Sequence, residues 1–195
     1  KKLAGIERSD SVVLDPHKGL FLPYGSGSLI VKNGKLLRKA HMLTADYMPD
    51  HSTAEGDISP TEYSPELSRS FRGLRVWIPL KLFGVQAFRE NLEEKLELTE
   101  WLFARLRQEP RFESFAEPEL SVIPFRFRPK SGDVDAFNRR LLKKINGTKK
   151  LYLSSTLLRG EFAIRVCILS FRTHIEQVEE AYEIITSEAR NLAKG

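Results

Sequence analysis

Ser11-Val12-Val13-Leu14-Asp15-Pro16-His17-Lys18-Gly19 holds the residues best placed to do chemistry. A short apolar run ends at Asp15-Pro16, so Lys18 sits in a turn straight after a strand. There its backbone is fixed while its long side chain reaches outward. Pro16 fixes one backbone angle just ahead of it. Burial and neighbouring cations lower a lysine pKa, and the neutral amine is then a nucleophile toward aldehydes. His17 offers a donor to an anion. Taken alone, a lysine at a strand end is ordinarily a solvated surface residue, and these neighbours do not prove a covalent role.

The other candidate groups carry less. Cys167 lies in the apolar run 162–169, with no His or Asp adjacent in sequence. That predicts a small buried apolar residue rather than a nucleophile. A single cysteine excludes an internal disulfide and suits a reducing compartment such as the cytoplasm. His41 and His51, with Asp46 and Asp50 between them, lack the short spacing of metal ligands, so no metal is expected. The basic run Arg139, Arg140, Lys143, Lys144, Lys149 and Lys150 largely punctuates a helical pattern and reads as a solvated face. With no zinc spacing and no aromatic interleaving, nucleic acid is not an expected partner.

The stretch Asp10-Ser11-Val12-Val13-Leu14-Asp15-Pro16-His17-Lys18-Gly19-Leu20 resembles the cofactor-lysine motif of the group II pyridoxal-phosphate amino-acid decarboxylases. That family includes the aromatic-L-amino-acid, histidine and glutamate decarboxylases. The likeness continues in order. Thr44-Ala45-Asp46-Tyr47 falls where the family has its mobile catalytic loop. Arg69-Ser70-Phe71-Arg72-Gly73-Leu74-Arg75-Val76-Trp77 is similar to its Arg-Arg-Phe-Arg-Ser-Leu-Lys segment. Gly84-Val85 fits the element that follows, and 165–172 resembles the last strand and its Arg-Thr turn.

The resemblance implies pyridoxal 5'-phosphate as cofactor and decarboxylation of an L-amino acid to its amine. Lys18 matches the lysine that forms a Schiff base with the cofactor. His17 matches the histidine beside it, expected near the phosphate. Tyr47 matches the loop tyrosine that protonates the carbon left when carbon dioxide departs. A Phe in that place goes with aldehyde-forming variants, so Tyr47 favours plain decarboxylation. Ser68 matches a small residue whose backbone reaches the phosphate from the partner subunit; a helix cap is the equal alternative. Arg69 and Arg72 are expected as structural ion-pair partners. Asp15 replaces the Asn of some relatives and is a weaker cofactor contact, pointing away from the phosphate or orienting His17. The implied assembly is a homodimer sharing its active site between subunits. The family's aspartate for the pyridine nitrogen and its ring-stacking histidine lie upstream of the lysine, where this sequence has 17 residues. The chain is therefore expected to be the carboxyl-terminal segment of a longer protein, inactive alone and partnered by the upstream part. The reading from a different class is a catalytically inactive decarboxylase-like module kept for dimerisation or protein interaction. Retention of Lys18 and Tyr47 favours the enzyme. Aromatic amino acids are the first expectation for the substrate.

Stepping outward, short strands at Ser11–Leu14, 20–23 and Ser28–Val31, with a tight turn at Asn33-Gly34, are expected to hold Lys18. Residues 43–63 have no periodicity and read as a long functional loop carrying Tyr47. A helix is predicted from 65–69 through Leu74, Trp77 and Ile78, either broken at Pro79 or continuing through it. A second covers 85–107, with Val85, Phe88, Leu92, Leu96, Phe103 and Leu106 on one face. Ile123, Phe125 and Phe127 alternate with Pro124, Arg126 and Arg128 as a half-buried strand. Val134, Phe137, Leu141 and Ile145 make a helical stripe stopped at Asn146-Gly147. Runs 151–157 and 162–169 form a hairpin. Thr173 with Glu176 predicts a capping box for a last helix bearing Val178, Tyr182, Ile185, Ala189 and Leu192.

The chain has 195 residues, a hydrophobic content of 41% and a net charge of +5, which fits a globular protein with a real core. No apolar run approaches the roughly 20 residues that span a bilayer, so no membrane partner is expected. The fold class is α/β. By resemblance it is fold-type-I pyridoxal-phosphate-transferase-like: the end of the large domain over 1–80, with its mobile loop at about 43–63, and a connecting helix plus small carboxyl-terminal α+β domain over 81–195.

Overall fold

The computed structural model describes residues 3–42 and 59–194 and divides into two units, Lys1–Leu82 and Phe83–Gly195. In the first unit, β1 (Ser11–Leu14) and β2 (Ser28–Val31) pair antiparallel, with Val12 opposite Ile30 and Val13 opposite Leu29. Both strands are apolar, yet Val13, Leu29 and Ile30 are each more than half exposed. Successive strand residues point to opposite faces, so neither face of this ribbon is covered within the unit. Two strands alone are marginal in water, and continuous apolar strands belong inside larger sheets with both faces packed.

Residues 20–23 form no strand, contrary to the expectation. The chain after β1 instead winds into a one-turn helix, α1 (Pro16–Gly19), with Pro16 in the first turn where its missing N–H costs nothing. Asn33-Gly34 is not a hairpin turn either. Asn33 caps α2 (Gly34–His41), its Oδ1 accepting from the Lys35 N–H at 3.1 Å. Turn and cap signals share the same residues, and the next residues decided the outcome: Lys35-Leu36-Leu37-Arg38-Lys39-Ala40 are good helix formers. A bidentate pair from Arg38 to Glu62, at 2.8 and 2.9 Å, ties α2 to a short 3-10 turn at Pro60–Glu62.

Helix α3 (Leu74–Leu106) starts later than predicted. Glu66 accepts a bidentate bond from Arg72 and closes the preceding segment into bends, and helical bonding begins at the Gly73 carbonyl, which takes Val76 and Trp77. The helix runs through Pro79 and breaks at Gly84 (φ 75, ψ 163). A Cβ on Gly84 would meet nothing within 4 Å, so backbone conformation and not room requires glycine.

In the second unit, β3 (Phe112–Ser114), β4 (Val122–Phe127), β5 (Ser154–Leu158) and β6 (Glu161–Cys167) form an antiparallel sheet in the order β3-β4-β6-β5. The β5–β6 turn places Arg159 and Gly160 at positive φ, as a two-residue hairpin demands. Helix α4 (Val134–Gly147) packs on β4 and β6 and against α5 (Ile175–Leu192). The core comprises Leu102 and Leu106 of α3, Ile123 and Phe125, Leu141 and Ile145, Ile164 and Ile185, all fully buried. Each contributes on the order of 2 kcal/mol from leaving water.

Three local expectations fail here. Leu96 is partly exposed, and Lys95 is buried in its stead, its ammonium bonded at 2.6 Å both to Glu94 and to the Thr173 carbonyl. The helix cap lies one residue beyond the expected Thr173: the His174 N–H is met by the N3 side chain, Gln177, at 2.8 Å. Cys167 is exposed. It is out of phase with Phe162, Ile164 and Val166, which fill the core side of β6.

Candidate active site

Lys18 is the third residue of the single turn α1, and its position follows from the local sequence. The Lys18 N–H bonds the Asp15 carbonyl at 2.8 Å, and the Leu22 N–H bonds the Pro16 carbonyl at 3.2 Å, which folds the chain back under the lysine. Leu22 is buried, and Phe21 takes a left-handed φ of 56° to make the reversal. The Lys18 side chain is 63% exposed, and Nζ lies 2.6 Å from Asp15 Oδ2. The lysine thus reaches outward, as its place after a strand implies, and meets a carboxylate. Asp15 takes part in that pair through Oδ2. The hydrogen bond from Lys18 is the main reason its carboxyl lies below the usual range, with the charges of Lys18 and His17 adding to the effect.

His17 has a different environment. Its ring meets Tyr24 edge-on, with centroids 5.1 Å apart, and its Nδ1 is buried without a hydrogen-bond partner among the described residues. A buried polar atom without a partner is costly, and such atoms concentrate where a ligand or another segment completes the bond. The turn 24–27 is braced by residues the motif did not single out. Ser26 is buried and donates to the Pro23 carbonyl at 2.9 Å, and Arg75 Nη1 donates to the Tyr24 carbonyl at 2.7 Å. Gly25 has φ 85, and a Cβ there would stand 2.8 Å from that same guanidinium, so only glycine lets Arg75 close over the turn. The Tyr24-Gly25-Ser26-Gly27 run signalled a tight turn. Nothing local signalled its partner, 51 positions away.

Lys18, His17 and Asp15 are therefore together. Ser68 is exposed in a bend ahead of α3, and as the helix starts only at Leu74 it is no cap. Arg72 is the ion-pair residue expected, to Glu66, and Arg69 bonds the Ser64 hydroxyl at 3.1 Å. Tyr47, Asp46, Asp50 and His51 lie outside the described residues. Among the described residues no three His, Cys, Asp or Glu side chains cluster as metal ligands, and no helix is long and apolar enough to cross a membrane.

This geometry suits pyridoxal 5'-phosphate on the side it presents. The outward Lys18 amine is within reach of an aldehyde, Asp15 Oδ2 orients it, and the His17 Nδ1 lacks a partner among the described residues.

Comparison with known proteins agrees in kind. The profile of the pyridoxal-dependent decarboxylase conserved domain matches residues 1–128. The aromatic-L-amino-acid decarboxylase of Bacillus atrophaeus is 36% identical over 90% of this chain and 38% of its own length. Tyrosine decarboxylase 2 of Arabidopsis thaliana is 30% identical over the whole chain and 36% of its length. The chain thus spans well under half of these relatives. Among solved structures, the Oryza sativa TDC with PLP and tryptamine superposes with a TM-score of 0.90 at 25% identity, over 98% of this chain and 41% of that one. The Catharanthus roseus tryptophan decarboxylase in complex with L-tryptophan gives 0.82 at 27%, over 98% and 38%.

Proposed function

Because the chain belongs to the pyridoxal-dependent decarboxylase family and has its α/β, fold-type-I architecture, we propose that it is the segment supplying the cofactor lysine of a decarboxylase acting on an L-amino acid. The observation that carries the proposal is the exposed Lys18 amine in the same one-turn helix as His17, whose buried Nδ1 has no partner among the described residues.

When bound, pyridoxal 5'-phosphate supplies an electron sink for the pair of electrons left as carbon dioxide departs. Lys18 holds the cofactor through Nζ, which must first lose a proton. Asp15 Oδ2, 2.6 Å away, keeps the amine oriented until that proton is lost. His17 Nδ1 completes its hydrogen bond on the cofactor side. Ser68 contributes from the partner subunit. Tyr47 delivers a proton to the substrate carbon, which requires its loop to close and exclude water.

In this reading the first unit ends a cofactor-binding large domain and the second is the small carboxyl-terminal domain. The uncovered apolar faces of β1 and β2 support continuation of their sheet by an upstream part of the same protein. Exposed Trp77 and Leu82 support a homodimer contact. The names of the relatives support an aromatic amino acid as substrate, and the lone free Cys167 suits the cytoplasm.

The full-length protein loaded with cofactor is expected to show visible absorbance that Lys18→Ala abolishes. Borohydride trapping of the cofactor on a lysine other than Lys18 in the unsubstituted protein would overturn the assignment.

A further inference from the structure

The second unit contains a cavity of about 390 Å³ between the end of α3, the end of β4 and the last turns of α5. Its volume falls within the roughly 300–1,000 Å³ of small-molecule sites. Phe127 and Phe137, both nearly buried, give it an apolar floor. Around the mouth stand Arg111, Arg128, Lys130, Arg190 and Lys194, against one carboxylate, Glu109.

That carboxylate is already engaged. Glu109 accepts from the Tyr182 hydroxyl at 2.6 Å and from Arg190 at 2.8 and 2.9 Å. Burial pushes its carboxyl up, but those two hydrogen bonds outweigh it and hold the group ionised below the usual range. Arg128 is likewise neutralised, by Glu113 at 3.0 Å. Arg111, Lys130 and Lys194 remain, and among the described residues none of them bonds a side-chain acceptor. Arg111 also takes a left-handed φ of 68°, and its carbonyl accepts the Arg128 N–H at 2.9 Å, which holds two arginines side by side at the rim. A non-glycine residue at such a φ is strained, and strain of this kind concentrates at binding sites. Lys194 and Arg190 offset the carbonyl end of α5. Arg111 and Lys130 lie outside any helix, so a helix end does not explain them.

We propose that this cavity binds a small organic dianion with an aromatic or otherwise flat apolar body. The body rests on Phe127 and Phe137, and the two acidic groups meet Arg111, Lys130 and Lys194. The proposal rests on no part of the reading of Lys18.

Phthalate is the probe, titrated calorimetrically into the cofactor-saturated full-length protein so that the cofactor site is occupied. Saturable binding is expected, about tenfold tighter than for inorganic phosphate, which lacks the flat body, and weakening with added salt. Arg111→Ala with Lys130→Ala is expected to weaken it about tenfold or more. Lys143→Ala with Lys144→Ala, on the exposed face of α4, is expected to leave it unchanged. Should the first pair unfold the protein, Lys130→Glu alone, at an exposed side chain, is expected to give a comparable loss. Absence of saturable binding overturns the proposal, as does equal affinity for phthalate in the two paired variants or unaltered affinity in Lys130→Glu.

Discussion

Asn138 gives the sharpest test of how the second unit is held together. The β4–β6 ladder runs from Val122↔Cys167 to Phe125↔Ile164 and stops there. Beyond it, helix α4 takes over the strand ends. Asn138, fully buried, accepts the Phe127 N–H at 2.9 Å and donates to the Phe127 carbonyl at 2.8 Å, while Asp135 accepts the Phe162 N–H at 3.0 Å. Two turns on, Asn146 repeats the amide clamp on Leu153, at 2.8 and 3.0 Å. Asn138→Ala strands two backbone groups of a buried residue, each costing about 1–3 kcal/mol, so a loss of about 2–5 kcal/mol is expected. That is a large part of the ~5–15 kcal/mol of a typical domain. In a urea titration followed by Trp101 fluorescence in a Trp77→Phe background, the midpoint should fall by about 1–2 M with little change in slope. Asn138→Leu fills the volume but restores neither bond, and should lose nearly as much. Asn146→Ala, at a half-buried site, should cost about 1–2 kcal/mol. The two clamps lie about 12 Å apart along the helix, so their effects should add. A wild-type midpoint for Asn138→Leu would refute the reasoning, because volume and not hydrogen bonding would then be what Asn138 supplies.

Acid should weaken the same unit. Glu113 is held low chiefly by its hydrogen bond from Arg126 and then by Arg128, and Glu94 by Lys95 and then His174. A carboxyl lower in the folded than the unfolded chain contributes stability that is complete above the unfolded value, about 4.3, and lost as pH falls through the folded one. The urea midpoint should therefore drop below about pH 4.3, and Glu113→Gln should flatten that drop; an unaltered profile in the variant would contradict the pairing. In the cofactor-loaded full-length protein, Tyr47→Phe should keep the visible absorbance while amine production falls, and undiminished amine output would remove Tyr47 from the mechanism.

The sequence by itself determined whatever depends on neighbours within a few residues. Strands β1 and β2 are legible as apolar runs with turn residues at their ends, and α4 and α5 as stripes of period 3.6. The family was legible because its motif is contiguous around Lys18. Tertiary structure decided what depends on distant partners. Lys95 is buried with its ammonium on the Thr173 carbonyl, 78 positions away, and on Glu94, and α5 is capped at His174 and not at Thr173. Cys167 lies in an apolar run, but the phase of β6 is set by pairing, and pairing turned it outward. Asp15 meets Lys18 across one helical turn that replaced an expected open turn. Lys18 was found from the order of residues; that it stands exposed and paired to Asp15, while the nitrogen of the adjacent His17 is buried without a partner among the described residues, could come only from the folded backbone, which fixes the direction of each side chain.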